Sequence, residues 1–184
     1  MMKWRSAVAA ILLGSGLAAS LLWLYLSRYA PATGTPVWNE VSWPFPNDPW
    51  GKGKSFRCKA SNCGVQVTLH LRAKLGFCNC TTGVADDDDL DRMGDTVLLG
   101  EASPLGSGRP ISVAWMKGRS RAYLLNSGGA FGKAVVSVVY NERCDMIAAT
   151  AVIEHDRPER IEASVLEFLS SGTAMRWAEV TLGL

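Results

Sequence analysis

Val65-Gln66-Val67-Thr68-Leu69-His70-Leu71-Arg72 is the stretch that decides the fold class. Val65, Val67, Leu69 and Leu71 alternate with Gln66, Thr68, His70 and Arg72, the period of two expected of a strand with one buried face. His70 falls on the polar side of that alternation. Downstream, Ile111–Met116, Arg121–Leu125, Ala134–Tyr140 and Asp145–Ile153 are further predicted strands, rich in Val and Ile and bounded by Gly, Ser or Asn. Asn141-Glu142-Arg143 between the last two predicts a hairpin. Ser103–Gly108 and Asn126–Gly129 read as loops, and no internal repeat is present.

One helix stands out. Pro158 suits a first turn, Glu159 and Glu162 favour the N-terminal end, and Ile161, Val165, Leu166, Phe168 and Leu169 line one side, with Gly172 as the stop. Ala174–Leu184, carrying Trp177, Val180 and Leu182, fits either a strand or a helix. Upstream of the sheet, residues 31–54 hold Pro31, Pro36, Pro44, Pro46 and Pro49 with Trp38, Trp43 and Trp50. Dense proline resists helix and predicts an extended lead-in. Three tryptophans are foreign to a floppy linker, so the lead-in is expected to lie over the domain surface.

The first thirty residues set the topology. Ser6–Ser27 carries no charge, and roughly 20 such residues at 1.5 Å rise cross a ~30 Å hydrocarbon layer. Trp23, Tyr25 and Tyr29 sit where interfacial aromatics belong, and Arg28 ends the run. Lys3 and Arg5 keep the N-terminus cytoplasmic and send the rest outward, in a bacterium to the periplasm. The competing reading is a signal peptide cleaved at Ala30-Pro31-Ala32, which would release the domain to the periplasm; the apolar run is long for that role. The expected organisation is therefore a membrane anchor or signal over 1–30, a lead-in over 31–54 and a periplasmic domain over 55–184. The expected fold is α+β: an N-terminal transmembrane helix, then a mainly antiparallel sheet packed by a C-terminal helix.

The chain's net charge of +2 misleads. Lys3, Arg5 and Arg28 belong to the anchor, so the exported part carries one more acid than base, and charge does not indicate a nucleic-acid partner. The charges are segregated. Lys52–Lys74 holds six basic residues and no acid, whereas Asp86–Asp95 holds six Asp and only Arg92. The two segments are expected to lie near each other and neutralise; the alternative is an acidic patch (Asp86, Asp87, Asp88, Asp89, Asp91) facing a partner.

Cys58, Cys63, Cys78, Cys80 and Cys144 are the five cysteines, four of them in a C-x4-C-x14-C-x-C segment. Export makes disulfides the default. If Ser55–Cys58 pairs with the Val65–Leu71 strand through a Lys59–Asn62 turn, Cys58 and Cys63 face each other. The Ala73–Gly76 turn would then carry Phe77–Cys80 to the other side of that strand, with Cys78 or Cys80 bonded to Cys144. Four thiolates near one hairpin also offer a zinc or copper(I) site, although paired CxxC knuckles are missing. A third reading is a redox role for a bond within Cys78-Asn79-Cys80, against which no active-site CxxC is present.

Other motifs fall short. Asp87-Asp88-Asp89-Leu90-Asp91 opens like a calcium loop, but Arg92 replaces the turn glycine and Leu98 stands where a bidentate Glu belongs. A solvated loop or a helix N-terminal turn fits the Asp run better. Gly53-Lys54-Ser55 copies the end of a phosphate loop whose first glycine position holds Asp48. Neither His70 nor His155 has a Ser or Cys partner in a nucleophile-elbow setting. Glu40, Asp48 and the Asp run supply carboxylates for glycosidase chemistry without any pattern that pairs them.

Trp43-Pro44-Phe45-Pro46-Asn47-Asp48-Pro49-Trp50-Gly51, Phe56-Arg57-Cys58, Gly76-Phe77-Cys78-Asn79-Cys80 and the Asp86–Arg92 block resemble an uncharacterised family of bacterial membrane-anchored or exported proteins. The likeness takes in Arg143-Cys144-Asp145 and Trp177, hence most of the domain, and implies no activity. The strand-rich chain with a late helix also looks like the α+β sandwich domain of extrinsic photosystem subunits, an analogy of fold only. The expected function is a membrane-anchored periplasmic binding or assembly module. It would hold the membrane through residues 6–27, be stabilised by disulfides, lack a cofactor and meet a periplasmic or membrane protein partner. The alternative is an exported metal-binding or thiol-redox protein using Cys58–Cys80, with a hydrolase third.

Overall fold

The computed structural model describes residues 35–77, 79–126, 133–154 and 158–184. Expectations for the anchor (6–27), Cys78, residues 127–129 and His155 lie outside them. Eight strands form one antiparallel sheet: β1 (Trp38–Val41), β2 (Lys54–Cys58), β3 (Val67–Lys74), β4 (Ala102–Pro104), β5 (Arg109–Val113), β6 (Met116–Leu125), β7 (Ala134–Glu142) and β8 (Asp145–Ile153). Their order is β1-β2-β3-β8-β7-β6-β4, with β5 also on β6. Among the described residues four α-helices accompany them: α1 (Ala60–Cys63), α2 (Asp87–Met93), α3 (Pro158–Leu169) and α4 (Gly172–Leu182). The class is α+β. Among the described residues no helix is long and apolar enough to cross a membrane.

Alternation gives the sheet two different faces. Val67, Leu69 and Leu71 of β3 continue through Ile153, Ala151 and Ala149 of β8 to Ala134, Val136 and Val138 of β7. This face packs against α3 and α4 through Ile161, Val165, Phe168, Leu169, Ala174 and Ala178, all buried in one cluster. Phe168 stacks on Trp38 and meets Phe56 edge-on, so the helix layer reaches over β1 and β2 as well.

Several local expectations need correction. α3 ends at Leu169, ahead of Gly172, which itself opens α4; of the two readings of Ala174–Leu184 the helix is the one found, because Ala174, Met175, Ala178 and Leu182 recur at helical spacing on the buried side. Ile111–Met116 contains a hairpin turn at Ala114–Trp115, where Val113 and Met116 pair. Ser103 and Pro104, at the start of the expected Ser103–Gly108 loop, belong with Ala102 to a short edge strand on β6. The lead-in is extended, but Trp38–Val41 pairs with Ser55–Cys58, so a boundary at residue 54 cuts through the sheet. Phe77, Asn79 and Cys80 form no strand beside β3; β8 takes that edge along the whole strand.

Candidate functional site

The second face, opposite α3 and α4, is where the polar residues of the strands gather. Register places Ser55, His70, Thr150, Ser137 and Arg121 side by side across β2, β3, β8, β7 and β6. A strap made of the lead-in crosses this face. Trp43 and Phe45 meet the His70 ring edge-on, with centroids 5.9 and 4.9 Å away. Trp43 fits only because residue 53 is glycine: a Cβ there would lie 2.6 Å from the indole and 2.0 Å from the Leu71 carbonyl oxygen.

Under the strap, Ser55 Oγ and His70 Nδ1 share a 2.8 Å hydrogen bond. His70 is therefore not the exposed polar residue that alternation alone implied, and it does have a serine partner. The pair is sealed, however: Ser55 is 1% and His70 7% exposed. Burial, and then the Arg57 charge, push the imidazole down to about 4 against the opposing pull of Asp95. It is neutral at pH 7. No carboxylate among the described residues hydrogen-bonds the ring, so the third member of a nucleophile–base–orienter set is missing. Farther along the row, the buried Thr150 and Ser137 hydroxyls have no hydrogen-bond partner among the described residues, and Gly94 sits so close that a Cβ on it would lie 2.8 Å from Ser137 Oγ.

The next polar layer is an ion network. Arg72 Nε donates to Asp95 at 2.8 Å, a second guanidinium nitrogen reaches Asp48 of the strap, and Lys74 Nζ lies 3.0 Å from Asp95. Lys74 also donates to the Met93 carbonyl at the end of α2. Burial disfavours the Arg72 charge, but Asp95 and Asp48 outweigh it and raise the group's pKa. The hydrogen bond from Arg72 holds the Asp48 carboxyl below the usual carboxylate range. Two charges of each sign thus fasten strap, β3 and the α2 terminus together.

The acidic run is largely engaged elsewhere. Asp86 caps α2 by accepting from the Asp89 N–H at 2.9 Å, and Asp87, Asp88 and Asp89 fill its first turn. Asp87 accepts from Gly108 N–H and from Arg119, which lower its pKa in that order. Asp91 takes Arg121 at 3.0 Å and the Tyr123 hydroxyl. Within the Asp86–Asp95 run, Asp95 is the residue that reaches the Lys52–Lys74 segment, at Arg72 and Lys74; Asp87 and Asp91 are met by arginines of β6, and Asp89 by Arg92 of α2 itself. Asp86 and Asp88 remain exposed.

Cys58 bonds Cys63 across the single turn of α1, and Cys80 bonds Cys144, which occupies the two-residue turn between β7 and β8. The first pairing is the one expected from the hairpin. The second is one of the two expected for Cys144. These bonds overturn a four-thiolate zinc or copper site, and no cluster of three or more potential ligands exists among the described residues.

The open feature is a cleft of about 420 Å³ where the loop before α2 faces the β5–β6 hairpin. Thr82, Val84 and Ala85 line the loop side, and Pro110, Ser112, Lys117 and Arg119 the hairpin side. Thr82, Pro110, Ser112 and Lys117 are exposed, so the cleft is rimmed by accessible side chains. Asn141 of β7 positions the loop wall: its Oδ1 accepts from Val84 N–H at 3.3 Å, and its Nδ2 donates to the Arg143 carbonyl. Gly83, with φ +62°, lies against the same amide, which a Cβ would strike at 2.3 Å. Sequence reading missed this cleft because its two walls lie about thirty residues apart. The local signals, an Asn-x-Thr-Thr-Gly turn and a hairpin, carry no hint that they meet.

No protein-family model matches the chain, and no curated protein matches it.

Proposed function

We propose that the chain is a bacterial envelope protein, anchored by residues 6–27 with its α+β domain outside the inner membrane. The domain would act as a non-catalytic binding or assembly module that meets its partner through the Thr82–Arg119 cleft. The observation that carries this reading is the contrast between the two polar regions of the same face. The chemically capable pair, Ser55–His70, is shut beneath Trp43 and Phe45, whereas the cleft offers exposed hydroxyl, amine and apolar groups. Such a mixed rim around a concave surface suits recognition. The apolar run, the Lys3/Arg5 bias and two disulfides support export. The resemblance of the Trp43–Gly51 and Asp86–Arg92 segments to bacterial membrane-anchored proteins supports the same placement.

The test uses the full chain in cells, with a photo-crosslinking phenylalanine at Ser112 or Lys117 in the cleft and at Glu167, exposed on α3, as control. A light-dependent adduct at the two cleft positions and not at Glu167 is expected. No adduct at any position, or equal adducts at all three, would contradict the reading. Cys80 is bonded to Cys144, which overturns a redox bond within Cys78-Asn79-Cys80; the thiol-redox alternative keeps one supporting observation, the exposure of Cys80.

A further inference from the structure

We propose that the Cys80–Cys144 disulfide is a redox latch on the loop that leads into the Thr82 wall of the cleft, opened by an exported dithiol protein. The proposal rests on the reading of the cleft as the contact surface. The two disulfides differ in access. Each bond has one half-buried member, Cys63 and Cys144, and the other members make the difference: Cys58 is 0% exposed, whereas Cys80 is exposed in its loop. Disulfide exchange requires a thiolate to reach a sulfur, so an external dithiol meets Cys80 first.

The bond is also placed where its loss has a local consequence. Thr81, Thr82 and Gly83 direct their amides to Asn79, so the middle of the loop is hydrogen-bonded to itself. Its ends are held separately: Gly76 N–H by Asp145, and Val84 by Asn141 and by burial against Leu90 and Met93. The Cys80 bond ties the segment between those ends to the β7–β8 turn. Opening it frees the Thr82 wall while Val84, the sheet and both C-terminal helices keep their contacts.

The exchange balances as follows. A dithiol thiolate attacks Cys80 Sγ, the Cys80–Cys144 bond breaks, and Cys144 leaves as a thiolate that takes a proton. The second dithiol sulfur then attacks the mixed disulfide and releases Cys80. Two electrons and two protons pass from the dithiol, which ends as a disulfide, to the latch. An exported disulfide donor reverses the step.

The experiment takes the full chain carrying Cys78→Ser, in detergent, and titrates it with dithiothreitol before mass-tagged alkylation and amide hydrogen exchange. Cys80 and Cys144 should take the label at a reductant concentration about tenfold or more below that needed for Cys58 and Cys63, equivalent to about 30 mV. Exchange should rise over residues 79–83 and stay unchanged over 67–73 and 161–169. A Cys80→Ser/Cys144→Ser variant should show the same pattern without reductant. Simultaneous reduction of both bonds, an unchanged loop, or a rise spread across the sheet would overturn the latch. Absence of any Ser112 photo-adduct, with selective reduction and loop release intact, counts against the contact surface and leaves the latch standing.

Discussion

His70 titrates in a window that links burial to stability. Its folded pKa of about 4 lies below the ordinary 6.5, so between those values the unfolded chain takes up a proton that the folded chain refuses. Stability is full above pH 6.5 and falls as pH drops toward 4, by about 3 kcal/mol. The lowered carboxyls of Asp48 and Asp87 act in the other window: their contribution is present above about 4 and is lost as pH falls below it. Urea unfolding at pH 7, 5 and 4 should therefore show a decline that is flattened in His70→Gln; parallel declines in both proteins would assign the effect elsewhere. Asp95 is the second residue whose role is specific. Its removal leaves Arg72 and Lys74 buried with only Asp48 to answer them, so Asp95→Ala should cost about 3–5 kcal/mol. A loss below about 0.5 kcal/mol, the scale of surface sites, would mean that the network is solvated.

Among the elements, α3 and β3 were legible because a single period governs each. Ile161, Val165, Phe168 and Leu169 are buried along α3 as the helical spacing implies, and Leu166, expected with them, is half-buried at the edge of the cluster. Phe168 fills the space between Trp38 and Phe56, so Phe168→Ala should cost about 3–5 kcal/mol by denaturant titration; a near-neutral change would detach α3 from the sheet. The Cys58–Cys63 bond closes a separation of only 5 residues, worth about 2 kcal/mol of chain entropy. Cys63→Ser should lose that amount under oxidising conditions and nothing beside wild type in reductant. What stayed hidden were features set by distant partners. β4 is a strand only because β6 offers an edge. His70 is buried only because Trp43 and Phe45 lie over it, which no alternation within β3 encodes. Trp177, Val180 and Leu182 follow neither period cleanly, and it is the packing of Ala174, Met175, Ala178 and Leu182 that marks α4 as a helix.

For the whole molecule, the cysteines and the acidic run differ in how much of their partnering sequence could reach. Cysteine spacing gave the short disulfide directly, since a turn of a few residues brings two Cβ atoms together, and left Cys144 with two candidates. The Asp86–Asp91 run resolved into a capped helix pinned by Arg119 and Arg121, residues about thirty positions away whose register with α2 arises from the sheet. The central claim is an exported, two-disulfide binding domain. Peptide mapping of the unreduced full chain, recovered from bacterial envelopes with its own N-terminus, tests it most directly. The account predicts Cys58–Cys63 and Cys80–Cys144 as cross-linked peptide pairs from the membrane fraction. Recovery of those four cysteines as free thiols, or of the protein from the cytoplasm, would contradict it.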